Sequence, residues 1–269
     1  MAEPMDPATA GALGALQGLT EFLPVSSSGH VAVGAWLFGI RDMPLAMVVV
    51  LHAGTLVATL LVVGGDAWRL ATNTFRGLAH PRELARSETG RIVGGVIVAS
   101  IPTAVLGLWL EERVEAWSHS PGAVGGFFLL SAVAVLTTRR REGELRVPGL
   151  GACLLIGLAQ GLAVLPGVSR SGSTIATAML LGMQPAEAFR FSFLMSLPAV
   201  AGALALQLSK PDALARLGTG ALIGGVVALL VGWAALVVLR RVVVRGRFWL
   251  FALYLMPLGG GLVVWELGS

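Results

Sequence analysis

Two short polar segments interrupt a chain that is otherwise strongly apolar, and between them they hold the residues able to do chemistry. The first runs from Gln17 through Glu21, Pro24, Ser26, Ser27, Ser28 and Gly29 to His30. Gln17 and Glu21 stand four apart, so on a helix they share one face, and Pro24 then stops that helix. Three hydroxyls, a glycine and a histidine follow at once. A histidine beside serines and a carboxylate suits general acid or base work, or nucleophilic attack. The second segment is Leu165 to Thr174, where Ser169, Arg170, Ser171, Gly172, Ser173 and Thr174 follow Pro166 and Gly167. An arginine deep in an apolar segment costs about 2.5 to 3.5 kcal/mol on insertion scales, so it faces a cavity, a ligand or a counter-charge. Arg170 and Glu21 could form a salt bridge that only fixes the fold. Clustered serines and glycines could likewise only let helices pack closely. Repeated VSxSG loops beside a histidine point instead to a site for a strongly negative group.

The two segments are copies. At a fixed offset of 143, QGLTEFLPVSSSG (17–29) lies over QGLAVLPGVSRSG (160–172) with seven identities in thirteen positions. That offset sets Arg170 opposite Ser27, and Ser173 opposite His30. Gly94-Gly95-Val96 and Gly224-Gly225-Val226 form a weaker second echo. A short helix should follow each break, with Ser28, Ser173 and Thr174 as N-cap types. Helix N-termini carry unpaired N–H groups and about half a positive charge, which makes them anion sites.

The surrounding elements follow from composition. Of 269 residues, 55% are apolar, 36 are glycine and only 13% are charged; the mean hydropathy is +0.81. Six apolar runs of 18 to 22 residues (44–63, 92–110, 121–138, 189–208, 218–239 and 248–265) are long enough to cross a bilayer as helices. They lack the period-2 alternation of a membrane barrel strand. Residues 8–40 and 149–183 are apolar but broken in the middle, which predicts two re-entrant helical hairpins. Lys and Arg number five in 64–91, four in 139–147 and four in 240–247, against one or two in the intervening loops. The positive-inside rule makes the rich loops cytoplasmic and both termini external, so the two hairpins enter from opposite faces. The expected fold is an all-α integral membrane protein, six transmembrane helices plus two re-entrant hairpins in an inverted-topology repeat. It is read as one membrane domain over 1–269, with repeat 1 about 8–138 and repeat 2 about 149–265. Inverted repeats bring their hairpin tips together near the midplane.

Topology also accounts for the net charge of +4, so no nucleic-acid partner is expected. The lone Cys153 excludes a disulfide framework. Residues 1–10 lack the basic start of a cleavable signal peptide, so the first apolar segment is expected to stay. No nucleotide-binding glycine loop, HExxH or paired CxxC occurs. SGH is similar to part of the phosphatidic-acid phosphatase signature, but no histidine follows Arg170. His52 reads as an interhelical hydrogen-bonding residue, and Glu187 with Arg190 as an interfacial pair.

Together, QGLTEFLPVSSSGH and LPGVSRSGST resemble the bacterial undecaprenyl-diphosphate phosphatase family, the bacitracin-resistance proteins, over essentially the whole chain. The resemblance implies an enzyme of the bacterial inner membrane, multi-pass, that removes the terminal phosphate of a C55 isoprenoid diphosphate and so recycles the lipid carrier of cell-wall assembly. It places the family's [EQ]xxxE element on Gln17 and Glu21, its loop serine and histidine on Ser27 and His30, and its PGxSRSxxT element on Pro166 to Thr174. No covalent cofactor is implied. Mg²⁺ or Ca²⁺ between Glu21, with Gln17, and the diphosphate is compatible, although family members often carry glutamate where this chain has Gln17. The expected mechanism has Arg170 gripping the phosphate and Ser27 attacking, with His30 as base and Glu21 holding the imidazole; water or His30 as nucleophile fits nearly as well. Ser26, Ser28, Gly29, Ser169, Ser171, Gly172, Ser173 and Thr174 complete the expected cradle. The competing reading is a transporter or flippase of a phosphorylated polyprenyl lipid. A homodimer is compatible with either.

Overall fold

The computed structural model describes residues 6–38, 45–140, 142–210, 214 and 218–268. The hairpin end at 40, the loop 41–43, the span start at 44 and most of the loop 209–217 lie outside the described residues. Among the described residues the chain is helical throughout: α1 (Pro7–Phe22), α2 (Ser27–Phe38), α3 (Leu45–Gly77), α4 (Pro81–Arg86), α5 (Glu88–Ser118), α6 (Pro121–Leu136), α7 (Leu150–Leu162), α8 (Arg170–Leu180), α9 (Pro185–Leu208), α10 (Thr219–Val244), a 3₁₀ turn (Phe248–Phe251) and α11 (Ala252–Gly268). A parallel bridge joins Leu145 to Met183.

Local chemistry sets these limits. Asp6 caps α1, accepting from the amides of Ala8 and Thr9 at 3.0 Å ahead of Pro7. Ser120 caps α6, its hydroxyl accepting from Ala123 N. At the far end of α6, Thr137 and Thr138 turn their hydroxyls onto the carbonyls of Ala134 and Val135, at 2.6 and 2.7 Å. Those bonds compete with the helix ladder, and α6 stops at 16 residues, about 24 Å. Among the described residues, five helices are therefore long and apolar enough to cross a membrane: α3, α5, α9, α10 and the stretch Phe248–Gly268. The run expected over 121–138 forms a shorter helix. Conversely α3 runs for 33 residues, well past the expected end at 63, because AWRLATNTFRG keeps forming helix after the apolar run ends.

The first arms of the two broken segments pack on the other half of the chain. Helix α1 lies along α10, and α7 lies along α5. Glycines make the approach: a Cβ on Gly14 would lie 2.3 Å from the Gly224 carbonyl oxygen, and one on Gly18 would lie 2.8 Å from the Ala228 oxygen. At the repeat offset, a Cβ on Gly157 would meet the Ala99 oxygen at 2.2 Å, and one on Gly161 the Pro102 oxygen at 3.0 Å. Such contacts bring backbones close enough for van der Waals packing to hold helices together where lipid offers no hydrophobic gain. Helices α6 and α11 pair with one another, and α3 packs on both α10 and α9.

At one end of the bundle Arg190 of α9 ties three helices together. It reaches Glu187 at 3.3 Å, Asp66 of α3 at 3.4 Å and Glu88 of α5 at 3.8 Å. Arg69 pairs with the same Asp66. The expected Glu187–Arg190 pair thus sits inside a wider network. His52 differs from expectation: its Nδ1 turns back to Val48 O of its own helix, at 2.8 Å, so the bond is not interhelical. Phe22, Phe128, Phe193, Ile156, Ile175 and Met195 are fully buried in one core cluster that also holds Val25 of the first break.

Candidate active site

Both breaks are built on one plan, offset by 143 residues. In the first, Ser26 Oγ accepts from Gly29 N at 3.3 Å and lies 3.3 Å from Ser28 Oγ. In the second, Ser169 Oγ accepts from Gly172 N at 3.1 Å and lies 3.3 Å from Ser171 Oγ. The N-caps are therefore Ser26, two residues before Ser28, and Ser169, four and five residues before Ser173 and Thr174, because α2 and α8 begin as soon as the chain leaves Pro24-Val25 and Gly167-Val168. The turns differ in backbone: Gly167 takes φ +112 in the second, while in the first the left-handed position falls on Ser26, at φ +67. A non-glycine residue there is strained. Ser26 holds it because its hydroxyl also accepts from Gly167 N at 3.1 Å, which bonds one break to the other.

The breaks interlock. A Cβ on Gly29 would come within 2.6 Å of the Phe128 ring and 2.9 Å of Gly167 Cα, whereas one on Gly172 would meet Ser169 at 3.0 Å and Pro24 at 3.3 Å. Ser171 donates to Phe22 O at 2.8 Å. Ser131 of α6 donates to Gly167 O at 3.0 Å and accepts from Ser169 N at 2.8 Å. Thr174 shares a 2.6 Å bond with Ser192 of α9. The hydroxyls of Ser26, Ser169, Ser171 and Thr174, all expected to line a ligand, are thus used inside the protein to lock the joint. Ser173 has no side-chain hydrogen bond among the described residues. The amides of Ser27, Ser28, Arg170 and Ser171 lie in the first turns of α2 and α8, where no carbonyl of the same helix can accept from them.

At the centre lies the carboxylate of Glu21. Arg170 donates to Oε1 at 2.6 Å, while Ser27 at 2.8 Å and Gln17 at 3.2 Å donate to Oε2. Only 12% of the Glu21 side chain and 17% of the Arg170 side chain are exposed. Each would be costly alone so deep in the molecule, and pairing with additional hydrogen bonds offsets the desolvation. The Arg170 guanidinium also lies 5.9 Å over the Phe193 ring.

His30 takes a different place from the one expected. No imidazole stands between Ser27 and Glu21; the hydroxyl bonds the carboxylate directly. His30 Nδ1 turns back one turn to Ser26 O at 2.8 Å, and Nε2 lies 2.7 Å from the hydroxyl of Tyr254 on α11. Both ring nitrogens are thus engaged elsewhere than at Glu21. Tyr254 and Ser131 were not singled out from the sequence. Tyr254 carried a signal: it is the only tyrosine in the chain, set in an apolar run where a hydroxyl needs a partner. Ser131 carried none, being one small residue among many.

A family model described as bacitracin resistance protein BacA matches residues 10–261, which contain both breaks and every residue of the candidate site. The chain belongs to the BacA family. Three relatives are named undecaprenyl-diphosphatase. That of Desulfosudis oleivorans is 43% identical over 266 residues, covering 95% of this chain and 97% of its own length. That of Desulforapulum autotrophicum is 40% identical over 258 residues, covering 92% and 94%. That of Desulfatibacillum aliphaticivorans is 38% identical over 265 residues, covering 94% and 96%. In this BacA family member the likeness runs the length of the fold, with both interlocked breaks inside the matched region.

Proposed function

We infer that this chain is an undecaprenyl-diphosphatase of the membrane: it cleaves the terminal phosphoanhydride of a C55 isoprenoid diphosphate, giving the polyprenyl monophosphate and inorganic phosphate. The observation that carries the reading is the part-buried Arg170–Glu21–Ser27 chain, which joins the two breaks. A diphosphate brings more negative charge than one carboxylate, and Arg170 has the bidentate fork to take it. Moving the guanidinium toward the phosphate leaves Glu21 less neutralised and therefore a better base for the Ser27 proton. Ser27 Oγ then bonds to the terminal phosphorus as the bridging P–O bond breaks and the polyprenyl phosphate leaves. That group is already a stable anion, so it needs little acid assistance. Water attacks the phosphoserine next, His30 Nε2 takes its proton, and Glu21 returns a proton to Ser27 as inorganic phosphate departs. Orphan amides at the starts of α2 and α8, with Ser28 and Ser173, cradle the equatorial oxygens.

A divalent cation fits this centre as a companion of the substrate. Glu21 and the amide oxygen of Gln17 are hard oxygen donors, and among the described residues no cluster of three metal-ligating side chains occurs. Mg²⁺ or Ca²⁺ carried by the diphosphate would neutralise phosphate charge there, in the manner of sites that use one or two carboxylates plus substrate oxygens. For the membrane we propose six crossings, with α6 as the short sixth, and α1–α2 and α7–α8 as re-entrant hairpins of an inverted repeat forming one domain. Both termini then lie outside a bacterial inner membrane, which the basic loops support. A homodimer is compatible with this arrangement.

The decisive experiment uses purified protein in detergent, with no second compartment. Wild type is expected to release phosphate from undecaprenyl diphosphate, and Arg170→Ala to release none above background while its elution and melting show a folded protein. A wild type that binds the diphosphate and returns it intact would establish a carrier and reject the phosphatase.

A further inference from the structure

Both nitrogens of the His30 ring are held. Nδ1 lies 2.8 Å from the Ser26 carbonyl, which can only accept, so Nδ1 carries the hydrogen. In the neutral imidazole the lone pair is then on Nε2, and the Tyr254 hydroxyl 2.7 Å away donates to it. The two rings run nearly parallel, 15° apart with centroids at 5.7 Å, and Phe128 closes the ring edge-on at 5.3 Å and 76°. The imidazole therefore has one tautomer, one orientation and one basic position. Tyr254 is half exposed, and His30 follows Ser27 by three residues, so the two side chains lie on neighbouring positions of one face of α2.

We propose that Tyr254 is a catalytic residue of the second half-reaction, hydrolysis of the phosphoserine. It rests on the phosphatase reading above. The attacking water enters between the phenol and the imidazole, accepting from the Tyr254 hydroxyl and donating to His30 Nε2. As the water oxygen bonds to phosphorus and the phosphorus–Ser27 Oγ bond breaks, the water proton passes to Nε2 and Glu21 returns a proton to the serine. Tyr254 keeps its own proton throughout, so the step needs no further reactant. In the empty site the phenol occupies the base and fixes its tautomer; in the reacting site it holds the water. Attack by Ser27 does not involve it.

The test compares wild type, Tyr254→Phe, Tyr254→Ala and Ser27→Ala in detergent with undecaprenyl diphosphate, following phosphate release and intact protein mass after rapid quenching. Phenylalanine keeps the ring against His30 and removes only the hydroxyl. Tyr254→Phe is expected to lower kcat on the order of ten- to a hundredfold, at or below the low end of general acid–base contributions because the base itself remains, with kcat/KM nearly unchanged, so that KM falls with kcat. A phosphoryl adduct should accumulate on Tyr254→Phe and be absent from Ser27→Ala. Phe turning over like wild type, with only Ala impaired, would make the role one of packing and overturn the proposal. Slowing without the adduct would overturn it as well, and so would turnover by Ser27→Ala. A wild type that releases no phosphate would instead sink the phosphatase reading itself, and the two failures are separable. Side-chain ¹⁵N shifts of His30 give a readout independent of turnover: Tyr254→Phe should move Nε2 while leaving Nδ1 protonated.

Discussion

The two breaks share a skeleton and differ in what they point outward. In each, a serine caps the following helix, a second serine leans on the first and a glycine lets the opposite break come close. All of these fall at positions that coincide under the 143-residue offset. Three positions that differ between the copies, Glu21 against Val164, Ser27 against Arg170 and His30 against Ser173, hold the groups able to react. Repetition thus supplies the frame, and divergence at three positions supplies the reaction. One break contributes the nucleophile and a base; the other contributes the cation that grips the substrate.

That division of labour can be broken from either side. The largest effect is expected at Ser27: Ser27→Ala should lower phosphate release by a factor on the order of 10⁴ or more, as loss of a nucleophile does in serine hydrolases. Near-normal turnover would hand the attack to water. Arg170→Lys keeps the charge but loses the fork, and should cost on the order of 10² in kcat; a wild-type rate would show that charge alone suffices. Glu21→Gln keeps the shape and removes the base, so Ser27 loses its proton acceptor, and a loss of roughly 10² is expected, read in the same assay. Smaller effects test the shared frame. Gly29→Ala meets the Phe128 ring and backbone of the other break, and should destabilise by about 1 to 3 kcal/mol as overpacking. Gly172→Ala meets chiefly a serine side chain and should cost less; equal thermal shifts in detergent would show the frame to be more symmetric than its contacts. Ser131→Ala, which leaves Ser169 N and Gly167 O unpaired, should cost about 1 to 2 kcal/mol.

The helical architecture was legible because apolar run length and local breaks are properties of contiguous residues. The boundaries were less so: Thr137 and Thr138 read as part of a span, and only their hydroxyls on the preceding carbonyls show why α6 ends early. Both clusters were visible in the sequence, and the internal repeat predicted that they meet. Which serine does what was not, since three hydroxyls in a row have the same composition whether they cap, lock or react. The partner of Ser27 was misread for a geometric reason. Glu21 and Ser27 lie on different helices, and nothing in their spacing tells that the turn at Pro24 folds one onto the other while His30 bonds Ser26 O and Tyr254 instead. Tyr254 sits 224 residues from its partner, a separation no local pattern spans.

Because α1 seats on α10 and α7 on α5, each half holds a piece of the other. A growing polypeptide that has emerged only as far as α9 has no surface for the glycines of α1 to rest on. The first hairpin must then wait, loosely placed, for one of the last helices to arrive. The enzyme would be inert through nearly all of its biogenesis and switch on in one late docking event.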